Sequence, residues 1–137
     1  MIAYVDSSVV VRILFGQDRQ LAEWPNLAGI YASELLRVET MRTIDRATLR
    51  AAEPPDIVAR LRAAAFDLLS RAQLIEISSA VLDRAAEPFP TPLGTLDAIH
   101  LATALALAQE YPAMQLATHD QELADAARSV GLEVLGA

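Results

Sequence analysis

Ile2-Ala3-Tyr4-Val5, followed directly by Asp6-Ser7-Ser8, decides how this chain folds. The apolar run reads as a buried strand. The acid and two hydroxyls that end it are good N-cap chemistry for a helix running to about Leu14, with Gly16 as its stop. A strand feeding straight into a capped helix opens an α/β fold. It leaves Asp6 at the carboxyl end of the strand.

The same alternation continues along the chain. Residues 17–24 read as a short helix or turn, broken at Pro25. Gly29 to Ala32 reads as a second strand, and Ser33 can cap a long helix to about Ala51. Glu53-Pro54-Pro55-Asp56 is a break. Ile57, Leu61, Ala64, Leu68 and Leu69 then follow helical spacing. Gln73 to Ile77 reads as a third strand, and Ser78 or Ser79 can cap a helix to about Glu87. Residues 88–94 hold three prolines and read as a loop. Thr95 is expected to cap a helix to about Glu110, apolar almost all round and so deeply packed. Pro112 ends it. Met114 to Thr118 reads as a fourth strand, Asp120 to Val130 as a helix and Leu132 to Leu135 as a fifth strand, with Gly131 between them. The expected fold is a three-layer α/β/α sandwich around a five-stranded, mainly parallel sheet. Ligands on such sheets bind outside the carboxyl ends of the strands, where the strand order switches. If strands one and four are neighbours, Asp6 and Asp120 meet there.

The bulk numbers agree with one domain over residues 1–137. Hydrophobic residues make up 53% and charged residues 21%, too apolar for disorder. No run approaches the roughly 20 apolar residues of a membrane span, and the N-terminus lacks signal-peptide character. A soluble cytoplasmic protein is expected. The absence of cysteine excludes disulfides, thiolate metal sites and a cysteine nucleophile. A net charge of −7 argues against a broad basic nucleic-acid surface, but not against local contacts. All eleven basic residues are arginine, the better bidentate phosphate ligand.

Four acids invite a functional reading: Asp6, Glu39, Asp97 and Asp120. An all-oxygen cluster suits a hard cation, Mg²⁺ or Mn²⁺, rather than a structural zinc. Each acid also has a plain structural reading. Asp6 and Asp120 can cap the helices that follow them. Asp97 can answer a helix dipole. Glu39 can pair with Arg42 or Thr43 on a solvated helix face. If the four do gather, they should raise one another's pKa.

Beyond this chemistry, the chain resembles the PIN-domain ribonucleases, and in particular the VapC-type toxins of VapBC toxin–antitoxin pairs. The resemblance rests on Val5-Asp6-Ser7-Ser8, on Ser33-Glu34-Leu35 with Glu39 beyond it, on Asp97-Ala98-Ile99-His100-Leu101-Ala102 and on Thr118-His119-Asp120. Any one of these motifs is weak; their order and spacing fit across essentially the whole chain. The resemblance implies a metal-dependent endoribonuclease leaving a 5′-phosphate and a 3′-hydroxyl. It implies Asp6, Glu39, Asp97 and Asp120 as the cluster, Asp6 and Asp97 foremost as ligands, and Ser7 and Thr118 in support. It also implies a homodimer silenced by a VapB-type antitoxin. An arginine or lysine of that partner would suit an acidic pocket, and the side chains around Phe15, Leu35 and Leu36 could offer its helix a groove.

Other residues compete for attention. Arg42, Arg46 and Arg50 form one helical stripe beside Glu39. They read either as an RNA-contacting edge, through Arg42 and Arg46 above all, or as a solvated face, and the solvated face is slightly favoured. His100 reads as a packed, hydrogen-bonded histidine, and His119 as an exposed residue at a strand–helix junction. The aromatics are scattered and make no base-stacking platform. A receiver domain would need a lysine. A haloacid-dehalogenase-type phosphatase would need Asp-x-Asp where Asp6-Ser7-Ser8 stands. A silent RNA- or protein-binding module remains the main alternative to a nuclease.

Overall fold

A computed structural model describes residues 1–137. The strands are β1 (Ile2–Val5), β2 (Gly29–Ser33), β3 (Gln73–Ile75), β4 (Gln115–Ala117) and β5 (Val134–Leu135). The helices are α1 (Ser7–Leu14), α2 (Leu35–Arg50), α3 (Pro55–Ser70), α4 (Ser79–Ala85), α5 (Thr95–Glu110) and α6 (Gln121–Ser129). The sheet runs β3-β2-β1-β4-β5, and every pairing is parallel. This is the expected three-layer α/β architecture, with β1 at the centre and β4 beside it.

Alternation along β1 supplies both layers of the core. Ala3 and Val5 face one way, into a cluster with Val9 and Val10 of α1, Leu36 of α2 and Leu69 of α3. Tyr4 faces the other way, among Leu101 of α5, Leu116 of β4 and Leu123 of α6. Tyr4, Leu101, Leu116 and Leu123 are fully buried. A central parallel strand covered on both faces has to be apolar throughout, which is why the opening run carries no charge before Asp6.

Side-chain caps begin three of the helices. Asp6 Oδ1 accepts the Ser8 N–H at 2.5 Å, Ser78 Oγ the Val81 N–H at 3.2 Å, and Asp120 Oδ1 the Leu123 N–H at 3.1 Å. Helix α5 departs from expectation. Gly94, not Thr95, holds the cap position, and no side chain caps the helix. Ser33 also differs: it ends β2, two residues ahead of α2, and its hydroxyl accepts the Leu35 N–H at 3.1 Å while Glu34 holds the cap position. Pro25 does not end a helix over 17–24; it sits in the first turn of a short 3₁₀ helix, Trp24–Asn26. Pro55 likewise begins α3 rather than lying in a break. A first-turn N–H has no intrahelical acceptor, so proline loses nothing there. Strands β3, β4 and β5 are shorter than the apolar runs that mark them, because each is paired only as far as its neighbour's ladder extends. Gly131 ends α6 with φ +89°, a conformation that a side chain would disfavour. No helix is long and apolar enough to cross a membrane.

Candidate active site

The strand order reverses between β1 and β4, and the crevice at their carboxyl ends is where such sheets bind ligands. The ladder runs one step past each strand: Asp6 N–H reaches Ala117 O at 3.2 Å, and Thr118 N–H reaches Leu135 O at 3.0 Å. This sets Asp6 beside Thr118. Thr118 Oγ1 donates to Asp6 Oδ2 at 2.6 Å and accepts the Asp120 N–H at 3.0 Å. Asp6 is only 4% exposed, so both of its oxygens need donors, and Ser8 and Thr118 provide them. Ser8 Oγ crosses back to accept the His119 N–H at 2.8 Å.

Glu39 comes from the second turn of α2. Its Oε1 contacts Nε2 of the buried His100, and its Oε2 lies 3.5 Å from Ser7 Oγ. The expected pairing with Arg42 or Thr43 does not form. Arg42 instead meets Asp45 at 3.0 Å, and the Thr43 hydroxyl donates to the backbone carbonyl of Glu39 at 2.8 Å. Both are ordinary one-turn helical contacts, closer at hand than the Glu39 carboxylate.

Asp97 stands in the first turn of α5. Its pKa is pushed up to about 6, first by desolvation and then by the charges on Asp120, Asp6 and Glu39, with His100 acting the other way. No hydrogen bond contributes. A helix N-terminus favours an ionised carboxylate by about 0.3–1 kcal/mol. The upward shift has burial as its first cause and like charge as its second. All four acids thus share one electrostatic neighbourhood. The capping role does not exclude a shared site in Asp6 and Asp120, since each hydrogen bond uses one lone pair of a carboxylate that has about four.

The donor set suits a hard cation. It is all oxygen, the chain has no thiol, and both ring nitrogens of His100 are engaged by Tyr4 and Glu39. The carboxylates do not yet form a cage, because no three acidic or histidine side chains converge to coordinating distance. The chemistry and charge of the acids suit such an ion; their positions in this structure do not coordinate one.

Several residues differ from their sequence reading. His119 is not a free surface group: its ring is half-buried and its Nδ1–H donates to Gly136 O at 2.9 Å. Gly136 packs so closely that a Cβ would lie 2.8 Å from the Thr118 carbonyl oxygen. Leu36 is 1% exposed and belongs to the core, so it cannot line a partner groove. A cleft of about 330 Å³ lies beside Glu39, lined also by Ser7, Leu35, Leu96, Arg42 and Arg46 among others; Asp6, Asp97, Asp120 and Arg50 are not part of it. A larger cavity of about 610 Å³, near the starts of β2 and β3, contains none of the four acids. Tyr4 was not legible as a site residue, yet its hydroxyl meets His100 inside the fold at 2.7 Å. The only signal was a phenol placed mid-strand, which must find a partner when buried.

Fold and site together define a parallel α/β protein with an acidic site at its switch point. The model of the PIN domain matches residues 3–129, and the chain belongs to the PIN-domain family. It is 34% identical over 135 residues to Ribonuclease VapC46 of Mycobacterium tuberculosis, covering 96% of this chain and 95% of that one. It is 33% identical over 139 residues to Ribonuclease VapC35 of the same species, covering 96% and 94%. Among solved structures it is similar to VapBC2 from Rickettsia felis bound to a promoter DNA fragment, with a TM-score of 0.69, 15% identity and coverage of 98% and 99%. A toxin–antitoxin complex from Klebsiella pneumoniae gives a TM-score of 0.62 at 20% identity, with 93% of each chain covered. At those identities the structural likeness speaks for the fold.

The Asp97 shift makes a stability prediction. A folded-state pKa of about 6 lies above the ordinary aspartate value of 3.8. Ionised Asp97 therefore costs the fold stability at neutral pH, and that cost disappears as pH falls through about 6 toward 3.8. Asp97→Asn should be more stable than the parent at pH 7.5 in EDTA, by on the order of 1 kcal/mol once its partial exposure is discounted. The gap should close by about pH 4. Urea unfolding at both pH values checks this; a variant less stable at pH 7.5 contradicts it.

Proposed function

We propose that this chain is a metal-dependent endoribonuclease and the toxin of a toxin–antitoxin pair. The observation that carries this reading is the placing of Asp6, Glu39 and Asp120 near enough to Asp97 that, after desolvation, their charges help to raise its pKa to about 6. The ribonuclease names of relatives matched over almost the whole chain support it. In this reading residues 1–137 form a single catalytic domain.

Asp6, Glu39, Asp97 and Asp120 hold Mg²⁺ or Mn²⁺. What the bound cation supplies is positive charge against the phosphodiester and its leaving oxygen, and acidification of the attacking water. The chain's own residues prepare the place. Thr118 and Ser8 fix both oxygens of Asp6. Asp97, free of hydrogen bonds and half-exposed, is the acid most able to turn toward an incoming ligand. Arg42 and Arg46 line the adjoining cleft and contact RNA phosphates there, a local basic edge on a chain of net charge −7. Hydrolysis leaves a 5′-phosphate and a 3′-hydroxyl. The protein acts in the cytoplasm as a homodimer, and a VapB-type antitoxin silences it by setting a basic side chain among the four acids.

The test is total RNA incubated with the parent and with Asp97→Asn, in Mg²⁺, in Mn²⁺ and in EDTA. Discrete cleavage is expected only with metal. The variant should lose on the order of a hundredfold or more, the scale for removing one electrostatic stabiliser of a transition state. Absence of both cleavage and metal binding would return the acids to helix caps and surface charge. Arg46→Glu should cut cleavage about tenfold or more with the fold unchanged by circular dichroism, because it replaces a phosphate contact with a repulsion. Mg²⁺ affinity by calorimetry should weaken between pH 7.5 and 5.5, as Asp97 takes up its proton. Equal affinity at the two pH values would count against the cluster.

A further inference from the structure

Tyr4 and His100 are 96 residues apart in sequence and meet where neither has appreciable exposure. The Tyr4 phenol oxygen accepts the Ser33 backbone N–H at 3.1 Å and lies 2.7 Å from His100 Nδ1. The two rings stand edge-on, with centroids 5.9 Å apart and planes at 69°. The other ring nitrogen, Nε2, meets Glu39 Oε1.

Each of these contacts needs a proton between its two atoms. The Glu39 carboxylate can only accept, so Nε2 carries a hydrogen. Between the phenol and Nδ1, the donor follows from the phenol's surroundings. Its oxygen already accepts from Ser33. The nearby Thr103 hydroxyl gives its own proton to Ile99 O at 2.7 Å. A phenol proton directed at Nδ1 leaves every group satisfied. A proton on Nδ1 would instead take that acceptor from the phenol's own hydrogen.

We infer that Tyr4 and His100 are positioning residues for Glu39. The phenol donates to Nδ1, holds the imidazole as its Nε2–H tautomer, and aims that N–H at Glu39 Oε1. Glu39 Oε2 is left beside Ser7, next to Asp6. A glutamate has three side-chain torsions and loses much freedom when a ligand fixes it. Here most of that freedom is already lost inside the fold, as in sites where a hydrogen-bonded neighbour orients a metal ligand. The consequence for cation binding rests on the function proposed above; the hydrogen-bonded chain itself does not.

Two measurements on the full chain test this. The first is the ¹⁵N signature of His100 in metal-free protein, where the proton is expected on Nε2 and not on Nδ1. A proton on Nδ1 overturns the inference. The second is Mn²⁺ affinity of the parent, Tyr4→Phe, Glu39→Gln and the double variant. Tyr4→Phe should weaken binding about tenfold when Glu39 is intact, and less than about twofold alongside Glu39→Gln. Equal losses in both backgrounds would make Tyr4 a core residue only, and so overturn the inference. Tyr4→Phe also strips the Ser33 N–H of its acceptor; should that variant fail to fold, the ¹⁵N result decides. A parent that binds no Mn²⁺ would sink the nuclease reading, while the ¹⁵N result would still decide the role of Tyr4.

Discussion

The hydrogen bond from Thr118 to Asp6, at 2.6 Å, ties the ends of two neighbouring strands and is the contact on which the acidic site depends. It exists because β1 and β4 pair in parallel, with Val5 opposite Ala117. Both chains then leave the sheet at the same level. A carboxylate and a hydroxyl emerge side by side, and the helices α1 and α6 start from that level. Without the pairing, Asp6 would be a buried charge with one donor, an arrangement that proteins seldom tolerate.

Four like charges in one crevice strain any fold, and each acid meets the strain differently. Asp6 and Asp120 each take a backbone N–H at a helix start. Glu39 takes an imidazole. Asp97 takes nothing, and its ionisation suffers accordingly. Three of the four acids are thus held by hydrogen bonds and one by none. A fully tethered set would be rigid but short of free lone pairs for a ligand; a fully loose set would be scattered by its own repulsion.

How much of this was legible depended on range. Local signals read well: the apolar run before Asp6, the serine before α4, the proline loop before α5 and the glycine after α6 all marked real boundaries. Strand ends read less well, because a strand stops where its neighbour's ladder stops, and no single run records its neighbour. Thr95 looked like a cap but fell inside the helix, since Gly94 already had the extended backbone that a cap position needs. Leu36 read as groove and proved to be core, because on α2 the sheet-facing stripe could not be told from the outer one before the packing was known. Strand ends and motif order suggested that the acids would gather, and Asp97 does feel the charges of the other three. Their individual partners were not. His100 and Glu39 are 61 residues apart, and nothing near either names the other.

The central strand is the first one synthesised, yet its partner on one side lies 112 residues further along the chain. A chain growing from the ribosome can pair β1 with β2 early, but the edge of β1 that will receive β4 stays open until the residues around 115–117 have emerged. Long-range parallel pairing is slow to form in any case. Until it forms, Asp6 has no Thr118 and Asp120 has no place beside it. The acidic site therefore cannot assemble on a partly made chain, and the nascent protein carries half its sheet well before it carries its chemistry.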